Sequence, residues 1–315
     1  MITRNFRISK PYHYILFIVG LISVFLFQRL KDYRGIQSVD FVIESLVFLF
    51  FLASIFLVVF IITKNKLTQK NSFAALYFFI FISLMPQTLA DHKIIIANGF
   101  ILLSYRRIFS LETKLNMKKK YFDAALWLSI AALFYVWSIL YFIPLLLTII
   151  LRPNDWVKHL LVLVFGAGSS GLLVYLFASV FGITPLFLMF YSPEVNFDLF
   201  CHMPEVMKVS LAVISVMTIG SVFSLFSPLI LKNSKSRNNF IILFLMLFIG
   251  FSIPLLAVNM FAENMLFLIF PLAVIMANFT QQQKFSWLSD LFLTALLFLV
   301  LLNLGLNIGN QLSLC

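Results

Sequence analysis

The sequence predicts an all-α, polytopic membrane bundle of about eleven spans. Three observations carry that expectation. Apolar runs near 20 residues, the length that covers a bilayer core of about 30 Å, recur from one end of the chain to the other. Of 315 residues 62% are hydrophobic and 11% charged, with a mean hydropathy of +1.03, so the polar faces that a soluble fold presents to water are missing. Finally, the charges sort by sign to opposite sides of the apolar runs, as the positive-inside bias requires.

The spans read at about 12–28, 41–62, 72–89, 94–110, 121–136, 137–151, 159–182, 207–231, 239–258, 264–279 and 286–307. A basic segment with Arg4, Arg7 and Lys10 precedes the first; QRLKDYRG follows it in place of a small-residue cleavage site, which predicts a retained span. The side assignment rests on Asp91 to Lys120. There an apolar run from Ile94 to Tyr105 ends in a block with Arg106, Arg107, Lys114, Lys118, Lys119 and Lys120, the densest cationic stretch of the chain. Such a block cannot sit in hydrocarbon and marks the cytoplasm.

With the N-terminus cytoplasmic and the C-terminus outside, all of the 23 cations except Arg29, Lys31, Arg34, Lys93 and Lys208 fall inside. Of the 12 acids, Asp32, Asp40, Glu44, Asp91, Glu194, Asp198, Glu205 and Glu263 fall on or near the outer side. Tyr121 to Leu151 is long for one span and short for two. A tight hairpin near Tyr135 to Ser138 keeps the later charges sorted, and its incompletely crossing helices would need other protein over their ends. The stretch 72–110, turning between Pro86 and Lys93, has the same character. Residues 1–315 read as a single integral membrane domain, because no loop is long enough to bury a core of its own.

Composition also bounds function. The net charge of +11 is spread over short loops, which points to topology and anionic lipid and excludes nucleic acid as a partner. Cys201 and Cys315 are too few for a disulfide framework or metal site, and no zinc-protease, phosphate-loop or nucleophile-elbow motif occurs. No cofactor and no resident metal is expected; Glu194, Asp198 and His202 share a helical spacing, but Pro193 and Pro204 interrupt it. The glycines of GAGSSG, Gly166 to Gly171, suit close helix packing, and Asn98, Asn303 and Asn307 suit bonds to neighbouring helices.

The outer charges are the candidate chemistry. Asp32 and Asp40 stand with Arg29, Lys31 and Arg34 around the first outer loop, and Asp91, His92 and Lys93 in the second. Ionisable groups at a membrane boundary are costly unless solvated, paired or used. Gathered into one pocket, a carboxylate would serve as base and the cations would hold a phosphate.

The stretch HKIIIANGFILLSYRRI, with Asn98, Arg106 and Arg107, then YFDAALWLSIAALFY and the exit IILRPNDW, resembles an uncharacterised family of multi-pass inner-membrane proteins of Bacteroidota. That resemblance implies architecture and an inner-membrane, cell-envelope location, with no catalytic residue. More distantly, the chain is similar to C-type glycosyltransferases, which take a sugar from a polyprenyl phosphate. They share a cytoplasmic N-terminus, a carboxylate in the first outer loop and short helical pairs after the second span, although their large outer domain is absent here. Three functions follow as expectations: an envelope assembly or scaffold component whose partners are other membrane subunits; a lipid-linked glycosyltransferase with Asp32 or Asp40 as base and Arg29, Lys31, Arg34, Asp91, His92 and Lys93 around the substrate; and a transporter or flippase.

Overall fold

A computed structural model describes residues 2–31, 38–151, 155–180, 205–231, 234–257, 261–283 and 286–312. Every regular element among them is helical. In order they are α1 (Ile2–Phe6), α2 (Pro11–Lys31), α3 (Ser38–Lys64), α4 (Phe73–Leu84), α5 (His92–Ser110), α6 (Met117–Phe134), α7 (Phe142–Ile150), α8 (Trp156–Val180), α9 (Glu205–Leu231), α10 (Ser234–Leu256), α11 (Leu266–Gln282) and α12 (Ser286–Leu312). A single turn at Phe261–Asn264 leads into α11. Each of the eleven expected segments coincides with one of α2 to α12. Among the described residues six helical stretches are long and apolar enough to cross a membrane: Pro11–Arg29, Phe41–Lys64, His92–Thr113, Trp156–Leu173, Arg237–Leu256 and Phe261–Gln282.

The bundle is built around α11. Its sequence, LFLIFPLAVIMANFTQQ, is apolar on all sides, and a helix of that kind is stable only when enclosed. Leu266 to Asn278 are all buried, and α4, α9, α10 and α5 surround them. Outer helices show the complementary pattern, with Ile15, Leu49, Phe165 and Phe298 exposed on faces that suit lipid.

Apolar contact between helices gains nothing over contact with lipid tails, so association rests on close packing and polar bonds. Close packing is explicit at three crossings. A Cβ on Gly166 of α8 would sit 2.6 Å from the carbonyl oxygen of Phe122 on α6, and one on Gly250 of α10 would sit 3.0 Å from the Cα of Leu268 on α11. On α5, Gly99 receives the ring of Phe50 from α3. Gly168 and Gly171, by contrast, have open space beside them, so among the described residues Gly166 alone of the GAGSSG glycines packs against a neighbouring helix.

The polar bonds fall into two sets. One joins α1 to the start of α12, where the backbone N–H and the hydroxyl of Thr3 donate to Asp290 at 2.8 and 2.7 Å. The same end ties Asn278 of α11 to the Leu67 carbonyl at 3.0 Å, Asn239 of α10 to Glu112 at 2.7 Å, and Arg107 of α5 to Asp123 of α6 at 2.6 Å. Asp155, in the turn before α8, accepts from Lys158 at 2.8 Å, and that ammonium holds its carboxyl below the usual range. The second set lies at the opposite helix ends and includes Arg29, Glu44, His92 and Asn303.

Two elements stop short of a full crossing. α4 has 12 residues, about 18 Å, and ends before Pro86, which opens the 3-10 turn Pro86–Leu89. α6 breaks at Tyr135 into the 3-10 turn Val136–Tyr141, after which α7 runs back along it. The Thr148 hydroxyl, near the end of α7, donates to the Tyr121 hydroxyl at the start of α6 at 3.3 Å, which makes the pair a hairpin as expected.

Gly166→Leu is expected to lower the thermal unfolding midpoint in detergent by several degrees, since the backbone at Phe122 cannot yield. Gly168→Leu and Gly171→Leu are expected to leave that midpoint unchanged. Equal effects at the three positions would show that α6 and α8 do not meet at Gly166.

Candidate functional site at the second polar end

Four chain segments converge at the corner between α4 and α5. Asp91 caps α5: its carboxylate accepts from the Ile94 N–H at 2.9 Å, satisfying one of the donors that a helix start leaves open. Arg29, at the end of α2, donates from Nη1 to the Ala90 carbonyl at 2.8 Å. Its Nε lies 3.4 Å from Oε2 of Glu44, one and a half turns into α3. Oε1 of that carboxylate meets Nε2 of His92 at 2.6 Å. The helix ends that flank the α2–α3 connection therefore meet the α4–α5 corner directly.

The turn Phe261–Asn264 packs against Pro86–Leu89 from the other side. It brings Glu263, partly buried, into the neighbourhood of Asp91, and places Asn264 beside Tyr135 at the α6 break. The Tyr135 ring stacks on Phe267 with centroids 5.4 Å apart. Asn264 is fully buried with the Tyr135 hydroxyl as a polar partner outside strict hydrogen-bond geometry, and Oε1 of Gln87 and Oε2 of Glu44 are likewise buried without a close hydrogen bond. Buried polar atoms in this state are rare, because each carries the cost of lost hydration.

Chemically the corner holds three cations or potential cations, Arg29, His92 and Lys93, and three carboxylates, Glu44, Asp91 and Glu263. Glu44 is committed to its two partners and positions them. His92 is held in orientation by Glu44 through one ring nitrogen. Among the described residues no group of three or more His, Cys, Asp or Glu side chains suits a metal ion.

Of the residues expected at the site, Arg29, Asp91 and His92 come together, and Lys93 follows as an exposed residue of the first α5 turn. Lys31 ends α2 and Asp40 lies in α3 one turn before Glu44; their side chains are outside the described residues, as are Asp32 and Arg34 altogether. The set Glu194, Asp198 and His202 lies outside the described residues as well. Sequence reading set Glu44 and Glu263 among the outer acids and the hairpin turn at Tyr135 but gave them no part in the site, and it did not name Gln87 or Asn264. The pair Glu263 and Asn264 had one usable signal, two polar residues standing between long apolar runs.

A family model matches residues 6–309, nearly the whole chain. The chain belongs to the Family of unknown function (DUF6427). No curated protein and no solved structure matches it. Family membership, the all-helical fold and its long apolar helices make it a membrane protein in contact with the lipid bilayer.

A double-mutant cycle tests whether Glu44 holds the corner. Glu44→Ala and His92→Ala are each expected to cost about 1.5–3 kcal/mol, the range for hydrogen bonds to charged groups. The double variant is expected to cost clearly less than their sum in unfolding measurements, because both changes delete one contact. Additive losses would mean that the two side chains do not meet.

Proposed function

We propose that this DUF6427 protein is an eleven-span protein of the bacterial inner membrane, with a cytoplasmic N-terminus and an outer C-terminus, acting in cell-envelope biogenesis. At its extracytoplasmic boundary it transfers a sugar from a polyprenyl phosphate to an acceptor hydroxyl. The observation that carries this reading is the convergence of Arg29, Glu44 and His92 from three helix ends onto one corner. Charge of this density is retained at a boundary where it is paired or used, and here it is fixed in geometry by bonds to backbone and side chains.

In the proposed reaction the acceptor oxygen bonds to the anomeric carbon as the bond from that carbon to the phosphate oxygen breaks. The phosphate leaves with the electron pair, and the hydroxyl proton passes to a carboxylate. Asp32 or Asp40, on either side of the first outer loop, is the base. Arg29, Lys93 and His92 compensate the leaving phosphate, with Lys31 and Arg34 close in sequence to add to them. Glu44 is a positioning residue, since its two oxygens hold Arg29 and His92.

A second reading, an assembly component, is favoured by the open space beside Gly168 and Gly171 on α8, where a helix of another subunit could approach closely.

Asp32→Ala and Asp40→Ala in the native host are expected to differ: the change that removes the base should cut an envelope glycan by a factor of about 10²–10⁴ at unchanged protein level. Unchanged glycans in both variants and in Arg29→Ala overturn the transferase reading. Stoichiometric co-purification of another membrane subunit, lost in Gly168→Leu, would then support the assembly reading. Topology is tested separately with single cysteines. A membrane-impermeant thiol reagent is expected to label position 194 in intact cells stripped of their outer membrane and to label position 114 only after lysis.

A further inference from the structure

The polar end opposite the corner carries a second arrangement of charges. On α3, Lys64 stands 20 residues beyond Glu44 with no charged residue between them, about 30 Å along the axis or one hydrocarbon thickness. Arg106 stands one turn before the end of α5, which runs beside α3. The two side chains reach the same ring. The Lys64 ammonium lies 5.0 Å from the centroid of Phe60 and the Arg106 guanidinium 4.9 Å from it, so the two charges are at most about 10 Å apart.

Three features identify what this pair binds. The first is uncompensated charge. Among the described residues neither Lys64 nor Arg106 has a carboxylate within ion-pair distance, and the described acids of this end are engaged elsewhere: Asp123 by Arg107, Asp155 by Lys158, Glu112 by Asn239 and Asp290 by Thr3. Cations that serve topology alone extend apart into water, whereas these two converge on one ring against their mutual repulsion. The second is spacing. A phosphate that accepts from an ammonium and a guanidinium at about 2.8 Å each bridges charges roughly 6–8 Å apart, a separation that a shared ring permits. The third is the setting. Phe60 is exposed, Phe56 is exposed one turn before it on the same face of α3, and Leu49 is exposed two turns before that. A lipid-facing apolar strip thus runs up to the cationic pair, so the ligand has its charge at the helix ends and an apolar part along α3.

We infer that Lys64, Phe60 and Arg106 form a site for the phosphodiester of an anionic membrane phospholipid, with an acyl chain along Phe56 and Leu49 of α3. The Arg106 fork takes two phosphate oxygens, Lys64 supplies the second charge, and the Phe60 ring holds both cations in place before the lipid arrives. A zwitterionic lipid brings an ammonium of its own, which two neighbouring cations repel, so the site selects a net negative head. Bound lipid joins α3 to α5 at this end, as Glu44 and His92 join them at the other. The site is separate from the corner of Arg29, Glu44 and His92 and stands whether or not that corner transfers a sugar.

The test uses the full chain purified in detergent, with palmitoyl-oleoyl phosphatidylglycerol as probe and native mass spectrometry as readout. Wild-type protein is expected to retain a phosphatidylglycerol in preference to equimolar phosphatidylcholine with the same chains. Glycerophosphoglycerol, the same head without chains, is expected not to displace it. Lys64→Gln and Arg106→Gln are each expected to weaken retention about tenfold, and the double variant by clearly less than the product, because both cations hold one phosphate. Phe60→Leu, which keeps both charges and an apolar surface, is expected to weaken it severalfold. The double variant Lys118→Gln, Lys119→Gln removes as much charge from the exposed start of α6 and is expected to leave that lipid in place. Lys64 is an exposed residue at the end of α3, so its variant reads binding rather than folding. In unmodified protein the probe is also expected to raise the thermal unfolding midpoint, and phosphatidylcholine is not. Equal losses from the two charge-matched double variants would reduce the effect to diffuse attraction and overturn the site. Equal retention of phosphatidylcholine, or displacement of the probe by glycerophosphoglycerol or by an acidic peptide, overturns the assignment to an anionic phospholipid.

Discussion

Backbone atoms placed at membrane depth must find hydrogen-bond partners inside the protein, because hydrocarbon offers none. That constraint governs the corner from Leu84 to Asp91. Ending α4 at Leu84 strands carbonyl groups that the next helical turn would have used. Asn303 of α12 donates to the Leu84 carbonyl, Thr88 donates its N–H and hydroxyl to Met85 at 3.0 and 2.7 Å, Arg29 of α2 donates to Ala90, and Asp91 accepts from Ile94. Two distant helices and the corner's own side chains share the task. The polar groups that make the corner chemically useful are thus in part the groups that make a broken helix tolerable there.

Enclosure of α11 follows from the same economy. Its own sequence offers no face to water or to head groups, and it sits where α4, α10 and α9 can wrap it. At Gly250 the α10 and α11 backbones come so close that a side chain would strike Leu268. Further toward the lipid, α9 and α10 stand off enough to leave a cavity between them and α11. Contact at one level and separation at the next give a slot with a closed inner wall and an open side.

The corner holds its groups in two ways. Glu44 lies 2.6 Å from His92 and 3.4 Å from Arg29, so the charges of the corner are arranged by one another before any ligand arrives. Asn264, by contrast, is fully buried beside Tyr135.

Much of this architecture was legible in one dimension. Membrane length, apolar composition and the sorting of cations such as Arg106 and Lys118 determine helices at each of the eleven expected places, and the shortfall of Tyr121 to Leu151 determines a hairpin broken near Tyr135, because hydrocarbon thickness and the cost of buried charge act on each segment separately. The gathering of Arg29, Asp91 and His92 was legible to the same extent, since charges at helix ends on one side of a membrane share a plane. Which charges touch within that plane was decided by tertiary structure alone. Glu44 became the partner of Arg29 and His92 because α3 enters beside α5, and Asn264 came to Tyr135 because the turn before α11 packs on Pro86–Leu89. The apolar cavity among α4, α9, α10 and α11 has a related origin: a cavity is a property of how several helices diverge, and no single segment carries it.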